Sequence, residues 1–189
     1  MREQVLTYLS QNAPLERVNH ILRVEKRAAD LAVAHSLDKQ KAAIAGLMHD
    51  LAKCFKPQRL LHMAREEGLS LDEILETNPH LLHADVSAIV ARDTFGIEDE
   101  QVLDAIANHT LGSAQMSPLS CIVFLADKIE PGRGDSAYLQ ALRQISQENI
   151  FQAVYLTCNR TFEKLLDSSS LIHPRLIATR NKFLSKWKY

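Results

Sequence analysis

The stretch Ala42-Ala43-Ile44-Ala45-Gly46-Leu47-Met48-His49-Asp50-Leu51-Ala52-Lys53 decides the fold and points to the chemistry. Seven small or apolar residues lead straight into an adjacent His-Asp pair, and a lysine follows three positions later. A helix that is apolar all round lies inside a protein rather than on its surface. The imidazole and carboxylate near its end then sit in or beside the core, where they are costly unless paired, hydrogen-bonded or bound to a metal. Adjacent helical residues point about 100° apart, so His49 and Asp50 can reach two metal ions, or two sides of one.

On either side of this stretch the apolar residues recur at spacings of three and four, with almost no alternation. The pattern predicts helices throughout and an all-α fold. Helices are expected over residues 1–12, 14–36, 38–50, 57–67, 71–76, 78–95, 99–108, 117–130, 138–145, 148–167 and 174–188. Pro14 and Pro118 suit helix starts, and Asp38 suits an N-cap. Gly68 and Gly96 suit helix ends. In the second helix Leu15, Val18, Leu22, Ala29 and Ala32 form one apolar stripe. His20, Val24, Ala28 and Leu31 form its neighbour, which puts His20 on or beside the buried face, with Arg17 one turn before it.

The length of 189 residues suits a single domain with a proper core. A composition 46% hydrophobic and 24% charged is that of a soluble globular chain. A formal net charge of −1 gives no electrostatic case for nucleic acid or an anionic membrane. No apolar run is long enough for a bilayer, and the start lacks the pattern of a signal peptide. The three cysteines, Cys54, Cys121 and Cys158, form no CxxC pair, so reduced thiols and a cytoplasmic location are expected.

Asp127 repeats the logic of Asp50: the apolar run Cys121-Ile122-Val123-Phe124-Leu125-Ala126 leads into a carboxylate. His83 and His109 each sit near a helix terminus beside apolar neighbours. With His20, they complete a set of four imidazoles and two carboxylates drawn from five helices. Six ligands with a shared aspartate suit a two-metal centre. Each residue also has a plainer reading. His49-Asp50 can be a buried hydrogen-bonded pair, Asp127 a solvent-facing carboxylate, Lys53 a solvated helix-end lysine, Arg133 a loop charge, and Arg17 the partner of Glu16 or another acid.

The order H…HD…H…H…D over residues 20 to 127 resembles the HD-domain metal-dependent phosphohydrolases. Arg17-Val18-Asn19-His20, His49-Asp50-Leu51-Ala52-Lys53, Leu81-Leu82-His83, Phe95-Gly96-Ile97 and Asn108-His109-Thr110 resemble the YqeK subgroup. So do Leu125-Ala126-Asp127-Lys128-Ile129-Glu130-Pro131-Gly132-Arg133, Ile172-His173-Pro174 and Arg180-Asn181. The resemblance implies one HD domain over 1–189, with core motifs at about 17–133 and C-terminal helices over 138–188 packing onto them. It implies symmetrical hydrolysis of diadenosine tetraphosphate to two ADP at a centre of two divalent ions, iron by the family's habit. His20, His49, Asp50, His83, His109 and Asp127 would be the ligands, with Asp50 bridging.

Lys53 and Arg17 stand one turn from ligands and can reach phosphate. By the same resemblance, Arg133 and the Thr110 hydroxyl would be further phosphate contacts, and Asp50 and Lys53 the catalytic pair. The resemblance also implies that the loop 170–174, with His173, closes over the nucleoside, and that the chain is a homodimer. Two departures stand out. Ser120 and Cys121 replace the acid and lysine common before the second aspartate, and Leu111 replaces a second threonine. Rival readings are hydrolysis of other nucleotides, an HD-type di-iron oxygenase, and a non-catalytic nucleotide-binding domain.

Overall fold

Among residues 1–188, which the computed structural model describes, the chain forms eleven α-helices and no strand. The expected domain's final residue, Tyr189, lies outside the described residues. The helices are α1 (Arg2–Asn12), α2 (Leu15–Ala34), α3 (Lys39–Met48), α4 (Pro57–Glu66), α5 (Glu73–Thr77), α6 (His83–Phe95) and α7 (Glu100–Ala107). After them come α8 (Pro118–Ile129), α9 (Ala137–Glu148), α10 (Ile150–Asp167) and α11 (Pro174–Lys188). Short 3₁₀ turns occupy Pro79–Leu82 and Pro131–Arg133. Among the described residues, no helix is long and apolar enough to cross a membrane.

α8 is the central rod. From Leu119 to Glu130 every residue except Lys128 is buried, as its unbroken apolar run requires. Ser117 starts it by accepting from the Ser120 amide, and Pro118 follows at the first turn. α2, α3, α7 and α10 pack around it. α3 lies hard against α2 because of Gly46: a Cβ there would stand 3.0 Å from the Glu25 Cα and 3.2 Å from the Ala28 Cβ. Asp38 caps α3 through the amides of Gln40 and Lys41, as its position before the helix predicts.

Three local expectations need correction. α3 ends at Met48, so His49 is its C-cap and Asp50 lies in the turns beyond rather than within the helix. The helix expected over 78–95 divides into the 3₁₀ turn and α6, which makes His83 the first residue of a new helix. Leu15 is 74% exposed, although the stripe His20, Val24, Ala28 and Leu31 is buried as expected, together with Ile21, Ala29 and Ala32. A helix's first turn has few neighbours, so apolar spacing alone does not bury it.

α11 returns over the front of the molecule and fastens the loop after His109. Arg175 donates to Asp85 on α6 at 3.1 Å and to the Gly112 carbonyl at 3.3 Å. Thr179 donates to the Leu111 carbonyl at 3.2 Å. Gly112 is required on two counts: its φ is +69°, and a Cβ would collide with the Thr179 side chain.

Candidate metal centre

Each of the four expected histidines is oriented by its own Nδ1. His49 donates to the Gly46 carbonyl at 2.7 Å, His83 to His80 at 2.6 Å and His109 to Ile106 at 2.7 Å. All three acceptors lie three residues back, so a helix end or tight turn supplies them locally. His20, in the middle of α2, has no free carbonyl within reach. Its Nδ1 donates instead to Glu130 Oε1 at 3.0 Å, across 110 residues of sequence. Carbonyls and carboxylates only accept, so every Nδ1 carries the ring proton and every Nε2 presents a lone pair.

Those four lone pairs converge on two carboxylates. Asp50 Oδ2 lies 3.5 Å from His49 Nε2 and 3.9 Å from His20 Nε2. Its other oxygen, Oδ1, lies 3.3 Å from His83 Nε2 and 3.5 Å from His109 Nε2. Asp127 Oδ1 closes the first group, 3.1 Å from His20 Nε2 and 4.0 Å from His49 Nε2. Asp50 thus faces two separate sets of imidazoles with its two oxygens, and two overlapping metal-sized clusters result: His20, His49, Asp50, and Asp50, His83, His109.

The donor set fits divalent cations on a physical test. His20 Nε2 and His49 Nε2 are buried without a hydrogen-bond partner. The 3.1 Å approach of His20 Nε2 to Asp127 is no hydrogen bond, because the only ring proton is committed to Glu130. His83 Nε2 and His109 Nε2 likewise stand 3.1 Å apart with no proton between them. Converging lone pairs repel; a cation placed among them turns the repulsion into bonds.

Protonation follows suit. Burial pushes the Asp50 carboxyl up, yet Asp50 is held well below its ordinary value. Asp127 is likewise held well below its own, with burial opposed first by Lys128. Burial lowers His49, and it takes His109 down to about 4 against the pull of Asp50. Charged carboxylates and neutral imidazoles are the forms that ligate metal.

A ring of cations surrounds the array. Arg17 donates to Asp50 Oδ2 at 3.0 Å, so of the plainer alternatives "another acid" describes it correctly and Glu16 does not. Lys53 Nζ lies 3.2 Å from His83 Nε2, half-buried, with its pKa lowered chiefly by desolvation. Thr110 Oγ1 is 3.1 Å from the same nitrogen. Arg133 and Lys128 both donate to Asp127. His173 lies outside the array. Its Nε2 is 3.1 Å from an Asp72 oxygen, and it lines a cavity of about 300 Å³ shared with Thr110 and Lys128. His35 donates to the Ser146 carbonyl, and His62 is exposed.

Sequence reasoning missed Glu130, Lys128 and Arg23. Glu130 is 1% exposed and gathers His20, Arg23 Nε at 2.5 Å and the Gly132 amide. Gly132 has no side chain because a Cβ would run into the Arg23 guanidinium. One signal was available: Arg23 follows His20 by three positions, as Glu130 follows Asp127. A pair of such i,i+3 charges flanking two ligands suggests an ion pair behind them. Of the two departures, Ser120 and Cys121 are buried in α8 away from the array, whereas Leu111 lines the His173 cavity.

The HD domain family matches residues 17–132, and the chain belongs to it. It is 35% identical to a symmetrical bis(5'-nucleosyl)-tetraphosphatase of Halalkalibacterium halodurans, over 99% of both chains. It is 32% identical to the protein of the same description from Bacillus subtilis, over 97% of this chain and 98% of that one. Among solved structures it resembles a predicted HD superfamily hydrolase involved in NAD metabolism from Clostridium acetobutylicum. The TM-score there is 0.95, at 34% identity and 98% coverage of each chain. An all-α HD hydrolase that binds divalent metal is therefore the class to which this protein belongs.

Proposed function

We propose that this chain hydrolyses diadenosine tetraphosphate symmetrically to two ADP, at a pair of divalent cations held by His20, His49, Asp50, His83, His109 and Asp127. The observation that carries the reading is Asp50, whose two oxygens face two different sets of neutral imidazoles. Relatives described as symmetrical bis(5'-nucleosyl)-tetraphosphatases, aligned along almost the whole chain, support the substrate. Bound cations supply Lewis acidity toward phosphate oxygens and lower the pKa of water to near neutrality.

The chain's own residues do the rest. Asp50 shares its charge between both halves of the array, and Glu130 and three backbone carbonyls keep the imidazole lone pairs aimed inward. Arg17, Lys53, Lys128 and Arg133 put four positive charges around the array, matched to a polyphosphate. Lys53 and Arg133 stabilise charge that grows on the leaving phosphate oxygen. The Thr110 hydroxyl donates to a phosphate oxygen, and the cavity beside it, with His173 at its wall, takes a nucleoside.

Iron is the proposed metal, since a mixed imidazole and carboxylate set accepts it. The chain acts in the cytoplasm as one domain, with residues 138–188 tied to the motif core through Arg175 and Thr179. A net charge of −1 favours a small-molecule substrate over nucleic acid.

Product analysis tests this with iron-loaded protein kept anaerobic and diadenosine tetraphosphate. ADP as sole product, lost in Asp50→Ala, is the expected result. AMP with ATP, or no cleavage by metal-replete protein, would overturn it.

A further inference from the structure

Besides the cavity that opens at His20, two further cavities approach the ligand array. The His173 cavity reaches it through Thr110, which contacts His83 at one end. A second cavity of about 390 Å³ reaches it at the other end through Lys128 and Arg133, both of which hold Asp127. This one runs outward between α9 and α10, past Tyr138, Leu139, Arg160 and Lys164. Lys128 and Thr161 belong to both walls, so the cavities adjoin beside Asp127.

We propose that the second cavity is a second nucleoside site, which receives the other half of a dinucleoside polyphosphate. This rests on the function proposed above and adds to it the residues that select a substrate with two nucleosides. Symmetrical cleavage breaks a P–O bond at the central bridge of the substrate, with water adding to one inner phosphorus and the other ADP leaving, so a full nucleoside diphosphate must extend to each side of the array. The second cavity has the matching chemistry. Its lining carries four cations, Lys128, Arg133, Arg160 and Lys164, and no carboxylate. Tyr138 offers a partly exposed ring, and its hydroxyl points away from the cavity's cations, donating to the Leu156 carbonyl at 3.2 Å. The Arg160 guanidinium lies over that ring, 5.6 Å from its centroid, and pairs with Glu163 at 2.8 Å. A ring and a guanidinium plane at one wall both offer a base a sequence-tolerant stacking surface.

A third cavity, also of about 390 Å³, opens on the array at His20 itself and is lined besides by Arg17, Arg23, Arg133, Glu16 and Glu130. It has no aromatic face and carries two carboxylates, so it does not offer the same platform.

Steady-state kinetics on the metal-loaded enzyme test the proposal with two substrates of equal phosphate count: diadenosine tetraphosphate, and adenosine tetraphosphate, which has one nucleoside. Tyr138→Ala and Lys164→Ala should each raise KM for the dinucleoside about tenfold and leave KM for the mononucleoside unchanged, while Tyr138→Phe keeps the wild-type value. Calorimetric titration with ADP should give two molecules per chain in the wild type and one in Tyr138→Ala. Equal KM changes for both substrates, no change for either, or a single ADP in the wild type would overturn the second site. Wild-type protein that cleaves neither substrate yet binds two ADP would sink the proposed reaction and leave the two-site reading standing.

Discussion

The two ends of the ligand array are held by different means. At the His83 and His109 end, both rings are aimed by carbonyls three residues back, so the aim is set by local backbone geometry. At the His20 end, a buried glutamate from beyond α8 does the same work, itself fixed by Arg23 and a backbone amide. His49 borrows the local device, and Asp50 belongs to both ends. The difference arises because His20 lies in mid-helix, where the carbonyls are engaged along the helix, while the others sit at or beside helix ends, where the carbonyl three residues back lies within reach of the ring. One end is thus robust to any single side-chain change away from the ligands, and the other depends on a long-range ion pair.

The comparison breaks most completely at the shared residue. Asp50→Ala removes an oxygen from each end, and activity should fall by about a thousandfold or more. Metal content, measured by elemental analysis, should drop at both positions together. Retention of one full equivalent would show that the ends are independent. Next comes Glu130→Gln, which keeps the shape but removes the charge and turns one of two acceptor oxygens into a donor, against His20 on one side and Arg23 on the other. Metal affinity at the His20 end should weaken about 10- to 100-fold, while the other end keeps its own. Competition titration with a chelator reads the two steps separately, and an equal loss at both would defeat the idea of separate supports.

Metal removal itself should lower stability, since the folded array binds cations that the unfolded chain does not hold in place. At a free metal concentration 1,000 times Kd the difference is about 4 kcal/mol, readable as a fall in Tm after chelation. Arg175→Ala loosens the outer support of the His109 loop by unpairing the half-buried Asp85, at a cost of about 1 kcal/mol in denaturant unfolding. The smallest effect sharpens the contrast by chemistry alone. Cys54, exposed just past the Asp50 turn, should alkylate at once. Cys121 and Cys158, whose thiols burial pushes up to about 12, should react only on unfolding. Early reaction of Cys121 after chelation would show that α8 itself opens.

Much of this was legible without coordinates. The apolar run ahead of Asp127 predicted a buried helix with a costly carboxylate at its end, and α8 is that helix. The order of the six ligand candidates, with their flanks, matched the HD pattern, and the structure brings all six within one cluster. What the sequence misplaced was local: Asp50 just past a helix rather than inside it, His83 opening a helix rather than within one, and Leu15 in solvent. Each depends on where an element stops, and periodicity is insensitive to that. Glu130 escaped notice for another reason. Its role exists only because α2 and the end of α8 are neighbours, and nothing in either segment alone states that.

The sequence by itself determined that the chain is helical, which helices are buried, and which side chains must be neutralised once buried. These follow from spacing and transfer free energy, which act residue by residue. Only the tertiary structure decided that Asp50 turns one oxygen to each pair of imidazoles, that Glu130 orients His20, and that two cavities meet beside Asp127. Those are relations between segments as many as 110 residues apart. Such distances are fixed only when the helices pack, and packing is a property of all the faces together.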